Sequence, residues 1–149
     1  MSRNQKLMNE GKTQPPAWQM ERMWRLCKDY AANKERIEEL NVRLLDYAQM
    51  KERANTQDWP LIDKYASADE TARLALLKQV LFFESALVRI GGRTADVLRQ
   101  LYADRVLWDA VEDGQGKRLS PSTIAREKEK GLRLLCGLYE WEEQDKPQS

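Results

Sequence analysis

From Trp18 to about Lys51 the apolar residues Met20, Met23, Trp24, Cys27, Tyr30, Ile37, Leu40, Leu44 and Tyr47 recur at spacings of three, four and seven. That period aligns them along one side of a single long amphipathic helix. Charged residues such as Lys34, Glu35, Arg36, Glu38 and Glu39 fill its other faces. A stripe of this length has to be covered, either by another helix of the same chain or by a second copy.

The following stretch, Asn55 to Ser67, contains Pro60 and breaks the period. Ser67 with Glu70 three residues later forms a capping box, which predicts a second helix from there to about Ile90. Its expected buried stripe is Leu74, Leu77, Leu81 and Val88 or Leu87. Residues 17–92 are thus expected to form a long N-terminal helical hairpin and association region, closed internally or paired as a homodimer. Residues 1–16, polar and ending in Pro15 and Pro16, read as a flexible arm. Gly91 and Gly92 are expected to end the second helix through positive φ, with Thr94 capping a short third helix through Val97, Leu98, Leu101 and Tyr102.

A chain of 149 residues suffices for one domain with a core, or for a small module joined to a helical hairpin. One third of it is charged, and Gly and Pro are scarce, which predicts an all-α fold. The net charge of +1 conceals a local imbalance. Between Lys117 and Arg133 six basic residues (Lys117, Arg118, Arg126, Lys128, Lys130, Arg133) face two acidic ones, Glu127 and Glu129. Glu140 and the tail at 142–149, with Glu142, Glu143 and Asp145, are acidic, and either screen the basic face or stand apart from it.

Leu107 to Asp113 leaves room for a short helix of two turns, followed by the polar linker Gly114 to Arg118. At Ser120 a hydroxyl N-cap followed by Pro121 predicts a new helix running to about Trp141. In it Ile124, Gly131, Leu135 and Leu138 share one face, flanked by Leu132 and Leu134, while Ser122, Arg126, Lys130 and Arg133 share another. Residues 93–141 therefore read as a helix-turn-helix: short polar residues at the first turn and an arginine further along can place that end of the helix in the major groove of double-stranded DNA, where Ser, Thr and Arg bond to base edges or phosphates. A solvated cationic face tied up by Glu127 and Glu129 is the plainer alternative. Gly131 costs about 1 kcal/mol relative to alanine in a helix unless it permits a close crossing.

The string from Leu98 to Leu135 resembles region 4 of bacterial sigma factors, in the form used by ArpU-like phage transcriptional regulators. The resemblance rests on Leu98, Tyr102, Trp108, Ser120, Thr123, Ile124 and Arg126. It implies that Trp108 and Val111 pack the supporting helix, that Ser122, Thr123 and Arg126 face DNA with Lys130 and Arg133 near its backbone, and that RNA polymerase is a partner. Three features depart from the pattern: the turn before Ser120 is about two residues longer, a length that Lys117 and Arg118 can use to reach phosphates, Arg105 stands where glycine often enters the supporting helix, and Gly131 replaces alanine.

With no histidine and no zinc-like cysteine spacing, neither an enzyme nor a metal site is expected, and no cofactor. Gly91 and Gly92 lack the strand and the Lys-Ser or Lys-Thr of a phosphate loop. Cys27 and Cys136 read as core residues in a reducing cytosol, and the tryptophans as packing. No segment reaches membrane-spanning length and the start lacks a signal-like apolar run, so the cytoplasm is the expected location and no membrane partner is expected. The leading expectation is a sequence-specific DNA-binding transcriptional regulator of phage or prophage origin. The rivals are a small terminase-type packaging subunit and a helical adaptor that does not touch DNA.

Overall fold

A computed structural model describes residues 14–148, and within them the chain is mostly helical and has no strand. Four α-helices follow in order: α1 over Ala17–Arg53, α2 over Trp59–Ile90, α3 over Gly92–Leu98 and α4 over Pro121–Leu138. A π-helical turn, Arg99–Ala103, extends α3, and single 3-10 turns occupy Thr56–Asp58, Trp108–Ala110 and Glu143–Asp145. The arm expected at 1–16 lies mostly outside the described residues.

The chain divides into two compact units, one of residues 31–81 and the other of residues up to Tyr30 together with those from Phe82 onward. In the 31–81 unit the partners on α1 and α2 run in opposite directions. Asn33 Nδ2 donates to Gln79 Oε1 at 3.2 Å, Arg73 Nε to Asn41 Oδ1 at 2.5 Å and Lys51 Nζ to Asp63 Oδ1 at 2.8 Å. Arg43 Nε pairs with Asp69 Oδ2 at 3.0 Å between them. Buried Ile37 and Leu40 on α1 and Ile62 and Val80 on α2 supply the apolar part of this unit.

Two expectations for α2 fail. The helix begins at Trp59 rather than Ser67, because Pro60 falls in the first turn, where its missing N–H has no helical partner to lose. Ser67 lies inside the helix, where its carbonyl accepts from Thr71 Oγ1 at 3.0 Å. The expected buried stripe is also displaced: Leu74 is 52 % exposed, Leu81 55 % and Val88 78 %, whereas Leu87 is buried. The inward row in the 31–81 unit is Ile62, Ala66, Asp69, Arg73, Leu76 and Val80, alternately four and three residues apart. Asp69 and Arg73 hide it from a search for apolar period: Arg73 bonds to Asn41, and Asp69 pairs in charge with Arg43, although its buried Oδ2 makes no hydrogen bond of ordinary geometry.

The second unit has its core among Met23, Cys27, Phe83, Val97, Leu98, Val111, Ile124 and Leu135. Gly91 and Gly92 take φ of 63° and 64° at the junction of α2 and α3. Gly91 is the N-cap of α3, so Thr94 is not a cap. Thr94 is buried in the first turns of α3, and its hydroxyl donates to Glu127 Oε2 on α4 at 2.5 Å. Where α3 crosses α4, Gly131 leaves room for Leu98: a Cβ at 131 would lie 2.5 Å from Leu98 Cδ1 and 3.1 Å from Thr94 Cγ2.

Candidate nucleic-acid interface

The two-turn supporting helix expected at Leu107 to Asp113 does not form. That stretch holds only the 3-10 turn at Trp108–Ala110, and the backbone then becomes extended at Val111. A tight turn replaces the rest of it. Glu112 and Arg118 form an isolated antiparallel bridge, Asp113 N–H donates to Lys117 O at 2.7 Å, and Leu119 N–H to Val111 O at 2.9 Å. Asp113 Oδ1 accepts from the N–H groups of Gln115 and Lys117 at 2.8 and 3.0 Å, and Gly116 takes φ of 79°. These backbone N–H groups, Lys117 first, hold the Asp113 carboxyl below the usual carboxylate range. Gln100 fixes the turn from outside, donating to Glu112 O at 2.8 Å and accepting from its N–H at 3.0 Å. Neither Asp113 nor Gln100 stood out in the sequence, although Asp-Gly-Gln-Gly is turn composition.

Val111 does pack inward, fully buried with Val97 and Ile124 against Leu101, Val106 and Leu119. Trp108 does not: it is 39 % exposed, with Lys128 Nζ 5.6 Å from its ring centroid. Arg105 has φ of 54°, the left-handed conformation to which glycine is suited.

The start of α4 follows its local signals. Ser120 is extended, its Oγ accepts from Thr123 N–H at 3.2 Å, and Pro121 occupies the first turn. The hydroxyl of Ser120 also lies 2.8 Å from Thr123 Oγ1 and 3.2 Å from Ser122 Oγ, so the three form one cluster. Ser122, Arg126 and Lys130 lie on one exposed side of α4, and Ile124, Gly131, Leu132, Leu134 and Leu135 are buried.

The expected site residues differ in how far they are engaged. Arg126, Lys130, Lys117 and Arg118 are exposed and make no ion pair among the described residues, although Lys117 lies in coulombic reach of the Asp113 carboxylate. Arg133 is half-buried and its guanidinium pairs with Glu129 at 2.5 Å, one turn back, which withdraws it from the cationic face. Thr123 is half-buried, with its hydroxyl turned to the cap. Ser122, Arg126 and Lys130 therefore share a surface, Lys117 and Arg118 sit on the turn that precedes it, and Arg133 does not join them.

Helix α4 ends at Leu138, three residues before the expected end at Trp141. Tyr139 is extended, its ring meets Phe82 edge-on at 5.0 Å, and the indole N–H of Trp141 donates to Cys136 O at 2.9 Å. Trp141 also packs on Trp18, with ring centroids 5.1 Å apart. Beyond it Glu142 and Asp145 cap their own turn, and Lys146 pairs with Glu143 at 3.2 Å. Among the described residues no ion pair joins this acidic tail to the basic side chains of α4.

Both thiols are protonated at neutral pH: burial pushes Cys27 well above the ordinary range and Cys136 up to about 12. Among the described residues no cluster of His, Cys, Asp and Glu could hold a metal ion, and no helix is long and apolar enough to cross a membrane. Comparison of the chain with family models, curated proteins and solved structures finds no match.

Proposed function

We propose that the chain is a sequence-specific DNA-binding transcriptional regulator, phage or prophage derived, that inserts the start of α4 into the major groove. The observation that carries this reading is the selective pairing on α4. Glu129 takes Arg133, yet Arg126 and Lys130, one turn apart beside Ser122, are left without an acidic partner among the described residues. Two unpaired cations on the solvent side of a braced helix suit phosphates and guanine edges. In place of the missing supporting helix, α3 braces α4 through the Gly131 crossing and the Thr94 to Glu127 hydrogen bond. A role for RNA polymerase as partner rests on the resemblance to sigma region 4 alone.

The test is binding of labelled duplex fragments from the protein's own genomic neighbourhood, followed by fluorescence anisotropy over a range of salt. Arg126→Ala with Lys130→Ala is expected to weaken binding and to flatten the log-log salt slope by about one for each phosphate that is no longer neutralised. An equal affinity of the double variant would refute the assignment.

A second reading concerns association. Within the 31–81 unit Val42, Leu45, Leu61, Tyr65, Leu74 and Leu81 are each more than half exposed, which favours a partner or a second copy of the chain there. This is compatible with the regulator reading, since many such proteins bind as dimers, and it is also what a helical adaptor requires.

A further inference from the structure

The second unit carries an open cleft of about 320 Å³, lined chiefly by Trp24, Lys28, Tyr102, Arg105, Trp108 and Lys128. Its lining combines two indoles and a phenol with three basic residues, and no acidic residue takes part. Lys28 Nζ stands 4.5 Å from the Trp24 ring centroid and Lys128 Nζ 5.6 Å from that of Trp108. Neither lysine has a carboxylate partner among the described residues. Lysines gathered without counter-charge repel one another, and an anion relieves that repulsion.

Two further features set this cleft apart from an ordinary solvated surface. Tyr102 is buried, and its hydroxyl makes no hydrogen bond of ordinary geometry although the Trp24 indole lies close to it. Burial keeps that hydroxyl protonated, a buried polar group without a matched partner. Arg105 holds a left-handed backbone conformation in the same wall, and strain of this kind concentrates at functional sites.

We infer that this cleft binds a planar aromatic anion of the nucleotide type, its base stacked on the exposed Trp108 and its phosphate held by Lys28 and Lys128. The volume lies near the lower bound of about 300 Å³ for small-ligand sites, which suits one mononucleotide. Aromatic side chains accept any base by its π-face, and flanking cations hold the backbone phosphate. The site is separate from the proposed duplex surface. Lys128 is two residues from both Arg126 and Lys130, so at about 100° per residue it projects from the opposite side of α4.

The ligand chemistry has two sources, a free nucleotide or a nucleotide within a single strand. Isothermal titration of the full chain with adenosine monophosphate, adenosine and inorganic phosphate tests the site itself. Adenosine monophosphate is expected to bind about tenfold or more tighter than either fragment, and Lys28→Gln or Lys128→Gln to weaken it about tenfold. Arg126→Ala with Lys130→Ala is expected to leave it unchanged, so failure of the duplex assignment and failure of this one are distinguishable. Circular dichroism of each variant checks that the helices persist. Equal affinity for all three ligands, or indifference to both lysine variants, would overturn the inference. A short single-stranded oligonucleotide that displaces adenosine monophosphate at lower concentration assigns the site to a strand, and weaker displacement assigns it to the free nucleotide.

Discussion

Gly131 shows how one missing carbon sets the geometry of the candidate interface. In isolation a glycine in the middle of α4 costs about 1 kcal/mol relative to alanine. Here the absent Cβ is what allows Leu98 on α3 to approach, and Leu98 is fully buried, so it has nowhere to retreat. Gly131→Ala is expected to lower stability by a net value of up to about 2 kcal/mol, because overpacking of about 1–3 kcal/mol outweighs a propensity gain of about 1 kcal/mol. Urea unfolding measures it, and a more stable variant would mean that α3 and α4 do not cross as closely as described. The sequence raised the close crossing as the condition under which this glycine is tolerated. It did not supply the partner, since Leu98 lies 33 positions away and no local rule connects the two.

At the scale of elements, the segment from Leu107 to Leu119 departs furthest from the short helix and linker expected there. Leu107 to Asp113 read as a short helix of two turns, yet Leu107 is 74 % exposed and the chain turns extended at Val111. Asp113 explains the alternative: its carboxylate collects the N–H groups of Gln115 and Lys117, a local competition that short acidic side chains win against helical hydrogen bonding. The depressed pKa of Asp113 fixes the sign of a pH effect. A carboxyl whose folded value lies below its unfolded value contributes stability above the unfolded value of about 3.9, and that stability is lost as pH falls through the folded value. Wild-type protein is therefore expected to lose more of its urea midpoint between mildly acidic and strongly acidic pH than Asp113→Asn does. Parallel losses in the two proteins would show that the turn does not depend on the charge.

The cap at Ser120 behaved differently because all of its parts are adjacent in sequence. Hydroxyl, proline and the following polar turn need only each other, and the helix starts where they indicate. The far end of α4 needed distant residues. Phe82 and Trp18 receive the rings of Tyr139 and Trp141, and that packing pulls the chain out of the helix after Leu138.

For the whole molecule, the displaced stripe of α2 matters most. Leu74 and Leu81 face outward because the inward row is completed by Asp69, which pairs in charge with Arg43, and by Arg73, which bonds to Asn41. Such exposed leucines, seven residues apart on one helix face, are available to a second copy. Sedimentation at micromolar concentration is expected to show a dimer, and Leu74→Glu with Leu81→Glu a monomer of unchanged helicity, since neither side chain is buried. A wild-type monomer would leave the adaptor reading, with a different protein covering the same leucines.

The all-α class, the extent of α1, the glycine break before α3 and the cationic side of α4 followed from sequence, because helical period, capping and positive φ are properties of neighbouring residues. Which side of α2 is buried, how the turn before α4 closes, which of the cations remain unpaired and how Trp24, Tyr102, Trp108 and Lys128 come to line one cleft were decided only in three dimensions. Polar residues that find distant partners can occupy a buried row, and apolar residues that find none stay in water; neither outcome is written in the spacing of the residues concerned.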